Sequence, residues 1–161
     1  MNNQIIIGIS DLNVVAAPDV LISYALGSCV GICLFDRLVR VAGLAHILLP
    51  SRVAFKNQGN IMKFADTATV ELVNRMEAIG ARRLRMVAKI AGGAQMFANQ
   101  GISDAAQIGR RNVVETKQVL EFLSIKIIAE DTGSNYGRTI EFFAETGILR
   151  VKSISQGIKE I

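Results

Sequence analysis

Few side chains in this sequence are able to do covalent chemistry. It has a single histidine, His46, and two cysteines, Cys29 and Cys33. An imidazole beside a thiol can take up the thiol proton and so create a sulfur nucleophile. A zinc site usually needs four ligands, whereas these residues supply three, and Cys33 reads as a core filler on the same strand face as Cys29. The composition therefore favours nucleophilic catalysis over a metal centre.

The histidine and one cysteine fall on two apolar runs that predict a β-hairpin. The runs cover 29–36 and 39–48, and the simplest turn is centred on 37–38. This register places Cys29 directly opposite His46, with Cβ atoms about 4.5–5.5 Å apart. A four-residue loop can give the same register, whereas a slip of one residue would send the two side chains to opposite faces. We therefore expect a thiol–imidazole contact across the hairpin if this turn forms.

Two neighbouring features favour catalysis at Cys29. Gly27 lets the backbone turn sharply just before the cysteine, so that the N–H groups of Ser28 and Cys29 can face a developing oxyanion. Ser23 is a polar residue in an apolar run and needs a hydrogen-bond partner if it is buried. The same residues also fit a structural interpretation, with Cys29 as a small buried hydrophobe and His46 as a core histidine. The residues alone leave both interpretations open.

Hydrophobic patterning predicts the elements around this hairpin. The residues around 11–13 and 17–19 read as loops. The run Ala-Gly-Gly-Ala at 91–94 lacks the spacing of a phosphate-binding loop and is predicted to be a tight turn. The predicted strands outside the hairpin cover 5–7, 20–22, 84–90, 125–130, 138–144 and 148–154.

Two amphipathic helices are predicted. Asn60 is the expected N-cap of a helix over 61–79, and Gly80 ends it. The second helix runs over 109–122. Its inner stripe is expected to contain Val113, Val114, Lys117, Leu120 and Leu123.

These elements predict an α+β fold with layers and mostly antiparallel sheets, because strands and adjacent hairpins outnumber helices. The 161 residues fit one domain over 1–161, and half of them are apolar, which is enough for a core. No uncharged stretch is long enough to span a bilayer, and the N-terminal residues lack the positive patch of a secretory signal. We therefore expect no membrane insertion and a cytoplasmic location.

The charge of the chain is mildly basic, with a formal value of +4. The basic clusters at 82–85 and 110–111 are short and are not interleaved with aromatic residues, and the chain has no tryptophan. Such clusters are typical of a solvated surface rather than of a nucleic-acid groove. We expect no nucleic-acid partner, and an acidic protein partner would suit the charge equally well.

Four segments of the chain, in order, resemble one known family. They are Leu-Gly-Ser-Cys-Val at 26–30, Gly-Leu-Ala-His-Ile-Leu-Leu-Pro at 43–50, Lys-Ile-Ala-Gly-Gly-Ala-Gln-Met-Phe at 89–97 and Ala-Glu-Asp-Thr-Gly at 129–133. In these segments the chain resembles the chemoreceptor glutamine deamidase family, CheD. The resemblance implies an α/β/β sandwich that hydrolyses glutamine side chains to glutamate on the cytoplasmic domains of methyl-accepting chemotaxis receptors. It also implies binding to a CheC-type phosphatase, and the reaction needs no metal or organic cofactor.

The resemblance also assigns roles to residues. It makes Cys29 the nucleophile and His46 the general base, the pair that the hairpin register selects. The third member is usually a threonine, and Ser23 stands in its place, with the hydroxyl but without the β-methyl group that stiffens χ1. A cysteine protease would use the same residue types, so only the resemblance selects a side-chain amide. The changed third residue leaves open an alternative, a non-catalytic regulatory binding module of the chemotaxis pathway with a weakened active site.

Overall fold

The computed structural model describes residues 1–56, 59–96 and 107–161, so Phe97, which ends the third of those segments, lies outside the described residues. Within these ranges the strands are β1 (Gln4–Ile6), β2 (Asp11–Ala16), β3 (Val20–Leu26), β4 (Val30–Asp36), β5 (Val41–Ile47), β6 (Met86–Gly92), β7 (Lys126–Thr132), β8 (Arg138–Phe143), β9 (Leu149–Ser153) and β10 (Gly157–Glu160). The α-helices are α1 (Ala65–Ala78) and α2 (Ile108–Phe122), and short 3₁₀ turns cover Ile61–Lys63 and Arg83–Arg85. Neither of these helices is long and apolar enough to cross a membrane.

The strands form two sheets stacked face to face. The central sheet has the order β2-β5-β4-β6-β7, and the outer sheet has the order β1-β3-β8-β9-β10. The pairs β1–β3 and β6–β7 are parallel, and the other described pairs are antiparallel. Helices α1 and α2 pack on the face of the central sheet that is turned away from the outer sheet. The predicted α+β fold is therefore confirmed, as a layered α/β/β sandwich.

Strand β4 is buried on both faces and separates two cores. Val30, Ile32 and Leu34 join the helices in one hydrophobic cluster, whereas Cys33 and Phe35 lie in a second cluster between the sheets. Gly31 also faces this second cluster, and a Cβ added there would lie 2.5 Å from the Cδ1 atom of Ile140. Cys29, just before β4, belongs to the same inter-sheet cluster. The two sheets thus pack tightly against each other close to the candidate nucleophile.

Most predicted elements are confirmed with small shifts at their ends. The hairpin is formed by β4 and β5, and the second helix is α2. The predicted strands over 138–144 and 148–154 are β8 and β9, and they pair directly as adjacent antiparallel strands.

The prediction of a loop around 11–13 is wrong, because these residues belong to β2. Asp and Asn are residue types that are rare in strands, so Asp11 and Asn13 led to the prediction of a loop. Both are exposed at the edge of the central sheet, while Leu12 between them is 2 % exposed. Pairing with β5 supplies the backbone hydrogen bonds. Strand β10 was also not predicted; it is an exposed antiparallel partner of β9.

The predicted helix over 61–79 is wrong at its beginning. Asn60 caps only the first 3₁₀ turn, and α1 begins after it. The reason is a tertiary contact: the carbonyl of Lys63 accepts hydrogen bonds from the N–H groups of Leu48 and Leu49, at 2.9 and 3.0 Å. The Lys63 carbonyl therefore binds the segment after β5 instead of an N–H group one helical turn ahead. The hydrophobic pattern of a helix nevertheless continues through Lys63.

The predicted inner stripe of α2 is confirmed at Leu120, and Val113 and Leu123 pack half-buried against the same core. It is wrong at Val114 and Lys117, which are exposed. The buried residues of this helix are Gly109, Asn112, Thr116, Val119 and Leu120. A Cβ added at Gly109 would lie 2.3 Å from the carbonyl oxygen of Ala94, so the helix rests on backbone here. A helix face that lies on backbone selects small and polar side chains, and a search for apolar periodicity does not find it.

Candidate active site

Ser23 and His46 meet in the space between the two sheets. Ser23 lies on β3 of the outer sheet and His46 on β5 of the central sheet, and Ser23 Oγ is 2.7 Å from His46 Nδ1. Ser23 is 0 % exposed and His46 is 1 % exposed. Because water does not compete at such a site, this hydrogen bond can hold the imidazole in one orientation.

The partners of Ser23 determine which nitrogen of His46 carries the proton. Ser23 Oγ lies 2.7 Å from the carbonyl oxygen of Ile7, which can only accept a hydrogen bond. The single hydroxyl proton of Ser23 is therefore donated to Ile7, and the hydroxyl oxygen accepts from the Nδ1–H of His46. The neutral ring then has an unprotonated Nε2, which is buried and has no hydrogen-bond partner among the described residues. The site contains an unused proton acceptor.

Cys29 lies near His46 but not directly opposite it, so the predicted register is wrong. Gly31 pairs with His46, and a turn over 37–40 joins the two strands. The buried carboxylate of Asp36 accepts hydrogen bonds from surrounding donors, which keeps that residue in the strand and delays the turn. The shift is an even number of residues, so Cys29, just before β4, stays on the same face of the sheet as His46.

The thiol of Cys29 is free and 6 % exposed. It forms no hydrogen bond with His46, because Nε2 of that ring is unpartnered in the part of the chain that the structure describes. Catalytic hydrogen bonds are often long or unformed without substrate and tighten when it binds. The arrangement thus brings the thiol and the imidazole to one face without joining them.

The backbone around Cys29 presents two N–H groups, those of Ser28 and Cys29, that bind no other residue of the described chain. The segment 91–94 lies against this backbone: Gly93 N–H donates to the Cys29 carbonyl at 2.8 Å. Gly92 has a φ of 111°, and a Cβ there would lie 2.2 Å from the Cys29 oxygen, so this close approach requires glycine.

One further polar side chain reaches this site, from a position outside the predicted inner stripe of α2. Asn112 on α2 is 0 % exposed, and its Nδ2 atom donates to the carbonyl oxygens of Ser28 at 2.9 Å and Leu48 at 3.1 Å. A signal for it was present, because the helical period runs from Leu120 through Thr116 to Asn112 and so places polar residues on a buried face. The Ile7 carbonyl also lies outside the predicted site, and no sequence signal marks it.

Burial shifts both reactive groups toward their uncharged forms. It lowers the pKa of His46 to about 4, and the nearby Ile7 carbonyl opposes this shift. Burial raises the pKa of the Cys29 thiol, and the N–H of the same residue opposes this in part. At neutral pH the site therefore contains a thiol and a neutral imidazole rather than a thiolate–imidazolium pair.

The buried imidazole predicts a loss of stability in acid. Its pKa is about 4 in the folded protein, against an ordinary value of 6.5. Below pH 6.5 the unfolded chain takes up a proton that the folded protein does not, so the free energy of unfolding falls as the pH is lowered towards 4. The full change is about 3 kcal/mol. Urea unfolding of the wild type and of His46→Asn at pH 7 and pH 4.5 measures it.

Because the chain has one histidine, the variant isolates this effect from the titration of carboxylates. The wild type should lose more stability than His46→Asn between the two pH values. Equal losses in the two proteins would show that the folded imidazole keeps an ordinary pKa.

Cys33 does not belong to the candidate site. It is 0 % exposed in the core between the sheets, and burial raises the pKa of its thiol. Its position is that of the predicted core filler. Over the residues that the structure describes, no three His, Cys, Asp or Glu side chains are grouped so that they could hold a metal ion.

Comparison with known proteins decides the family. The family model described as CheD chemotactic sensory transduction matches residues 48–153. The chain belongs to the CheD family. A protein of Caldanaerobacter subterraneus subsp. tengcongensis, named a probable chemoreceptor glutamine deamidase CheD, is 50 % identical over 155 residues, which cover 96 % of each chain. A protein of Halalkalibacterium halodurans, named chemoreceptor glutamine deamidase CheD, is 49 % identical over 162 residues, with 100 % of both chains covered.

The similarity to CheD proteins extends over the candidate site. The family model begins after Ser23, Cys29 and His46, but the relatives match the chain beyond those limits. A CheD protein of Lachnoclostridium phytofermentans, also named a probable chemoreceptor glutamine deamidase, is 49 % identical over 161 residues and covers 100 % of both chains. These relatives are named as chemoreceptor glutamine deamidases. Ser23, Cys29 and His46 lie within the part of the chain that the full-length relative matches.

Proposed function

We propose that this protein hydrolyses glutamine side chains of chemoreceptors to glutamate, with Cys29 as nucleophile, His46 as general base and Ser23 as the group that orients the imidazole. One observation carries the proposal. The Ser23–His46 hydrogen bond has a direction that leaves Nε2 unprotonated, on the face of the central sheet that Cys29 shares. The names of the CheD relatives supply the reaction and the substrate class.

The first half of the reaction forms a thioester. As the sulfur of Cys29 attacks the carboxamide carbon, its proton passes to His46 Nε2. The developing oxyanion accepts hydrogen bonds from the N–H groups of Ser28 and Cys29, which donate to no other residue of the described chain. When the C–N bond breaks, His46 returns the proton to the leaving nitrogen, and ammonia departs.

The second half restores the enzyme. Water attacks the thioester carbon while His46 Nε2 takes up one of its protons, and the same two N–H groups stabilise the second oxyanion. The C–S bond then breaks, the proton returns to the sulfur, and the product side chain is glutamate. Because burial disfavours both charges, the proton transfer accompanies the attack instead of preceding it.

The direct test is deamidation of a chemoreceptor cytoplasmic fragment by the purified protein, read by mass spectrometry of its peptides. We expect specific glutamines to be converted to glutamate by the wild type. A receptor fragment that remains unchanged by a folded, thiol-reduced protein would contradict the proposal.

Ser23→Ala tests the orienting role. The hydroxyl accepts from the imidazole at 2.7 Å, so its removal should lower kcat about ten- to a hundredfold, as expected for one lost hydrogen bond to an orienting group. Ser23→Thr keeps the hydroxyl and adds χ1 stiffness, so we expect it to retain activity. Wild-type activity in Ser23→Ala would reduce the triad to a Cys29–His46 dyad.

We also propose that the protein acts in the cytoplasm and binds a CheC-type phosphatase, as the family resemblance implies. Co-purification of a CheC-type protein with wild type and with Cys29→Ala separates binding from catalysis, and we expect both to bind. Binding by a wild type that deamidates no receptor fragment would favour the alternative, a regulatory module with a weakened active site.

A further inference from the structure

Three consecutive carbonyl groups beside Cys29 are each held by a donor from another element. The Gly27 carbonyl accepts from Ala94 N–H at 2.9 Å, and the Cys29 carbonyl accepts from Gly93 N–H at 2.8 Å. The Ser28 carbonyl between them accepts from Asn112 Nδ2 at 2.9 Å. Two of the three holders are backbone groups. Only the middle one is a side chain, so only this one can be removed by substitution.

Each held carbonyl also determines the direction of an N–H group. A peptide unit is planar and trans, so its C=O and its N–H point in opposite directions. The Ser28 carbonyl shares its peptide plane with the N–H of Cys29, one of the two donors proposed for the oxyanion. When Asn112 holds the oxygen on the α2 side of the loop, the Cys29 N–H is aimed away from the helix. The Asn112 amide therefore controls the orientation of the Cys29 N–H, although it forms no hydrogen bond with that group.

Asn112 also connects the two catalytic strands. The same Nδ2 atom that donates to Ser28 donates to the carbonyl of Leu48, at 3.1 Å, just beyond the strand that carries His46. The side chain is 0 % exposed, so the two bonds are shielded from water. One buried amide thus joins Ser28, the residue before the nucleophile, to Leu48, two residues after the general base.

We propose that Asn112 is a positioning residue that sets the oxyanion-binding peptide of Cys29. This inference rests on the proposed deamidase function and adds a residue that acts through the backbone rather than on the substrate. It predicts that Asn112 affects the step in which the oxyanion forms, and that it does not affect substrate binding.

The test compares Asn112→Ala with a matched control, Thr116→Val. Thr116 lies one turn further along the same buried face, is 0 % exposed, and its hydroxyl has no hydrogen-bond partner in the described part of the chain. For Asn112→Ala we expect kcat on the receptor fragment to fall about ten- to a hundredfold with KM unchanged, less than the loss of an oxyanion donor itself. Thr116→Val should keep the wild-type kcat.

Alkylation of Cys29 by iodoacetamide gives a second readout, because this substitution forms no oxyanion. In Asn112→Ala the alkylation rate should fall far less than kcat. If both fall equally, Asn112 supports only the fold around the thiol, and the proposal is wrong. It is also wrong if Asn112→Ala and Thr116→Val have the same kcat in an active background. An inactive wild type would contradict the proposed deamidase function. An active wild type whose kcat does not depend on Asn112 would contradict only the positioning role of Asn112.

Asn112→Asp provides a variant of the same shape in case the alanine variant does not fold. Its ionised carboxylate has no donor for the Ser28 carbonyl, whereas its protonated form has one. The ratio of its kcat to that of the wild type should therefore rise as the pH is lowered. A constant ratio across the pH range would contradict the role of the donated hydrogen bond.

Discussion

Cys29→Ala should abolish the deamidation of receptor fragments while the protein remains folded. The reaction needs a soft nucleophile on the face that His46 shares, and alanine supplies none. Cys29 is 6 % exposed at the edge of the inter-sheet cluster, so the lost sulfur should cost about 1 kcal/mol of stability. The measurement is deamidation followed by mass spectrometry, together with thermal unfolding of the variant.

The chain contains a matched control for this substitution in its other cysteine. Cys33 is 0 % exposed in the same cluster, and burial keeps its thiol protonated. Cys33→Ala should therefore lose stability but keep the wild-type rate. Full activity in Cys29→Ala, or loss of activity in Cys33→Ala at an unchanged melting temperature, would show that the nucleophile has been assigned to the wrong cysteine.

Substitution of His46 should lower the rate about a thousandfold, the usual scale of general acid–base catalysis. The ring takes up the thiol proton and later protonates ammonia, and both steps use Nε2, the nitrogen that has no partner among the described residues. His46→Asn tests Nε2 specifically, because the asparagine amide can still donate a hydrogen bond to Ser23 but has no proton acceptor at the position of Nε2. His46→Ala removes both functions. Receptor deamidation by each variant measures the loss.

Alkylation of Cys29 separates activation of the thiol from other roles of the ring. A neutral imidazole that accepts the thiol proton during attack should speed alkylation, so His46→Asn should react more slowly than the wild type. The wild-type rate should rise with pH, because burial raises the pKa of the Cys29 thiol. An alkylation rate and pH profile that are the same in wild type and His46→Asn would contradict activation by His46.

Much of the fold follows from local sequence pattern. The hairpin of β4 and β5, the helix α2 and the pair β8–β9 were predictable, because long apolar or amphipathic runs have few alternative structures. Strand β2 and the beginning of α1 were not. Asp11 and Asn13 lie in a strand because β5 pairs with them, and the turn at Lys63 is held by the N–H groups of Leu48 and Leu49. Such partners are distant in sequence, and local propensity carries no information about them.

The residue types available for chemistry can be read directly from the sequence. With one histidine and a Gly-Ser-Cys run, it pointed to Cys29, His46 and Ser23, and four ordered segments pointed to the CheD family. It could place Cys29 and His46 on one sheet face, because an even shift in register preserves the face.

How these residues are connected depends on the folded arrangement of the two sheets and α2. Ser23 and His46 are on different sheets, so their hydrogen bond depends on how the sheets stack. The carbonyl of Ile7 sets the direction of that bond, and the buried amide of Asn112 bridges the backbone of two strands. Backbone carbonyls are present at every residue and leave no trace in a sequence, so the partners that orient the site emerge only when the chain is folded.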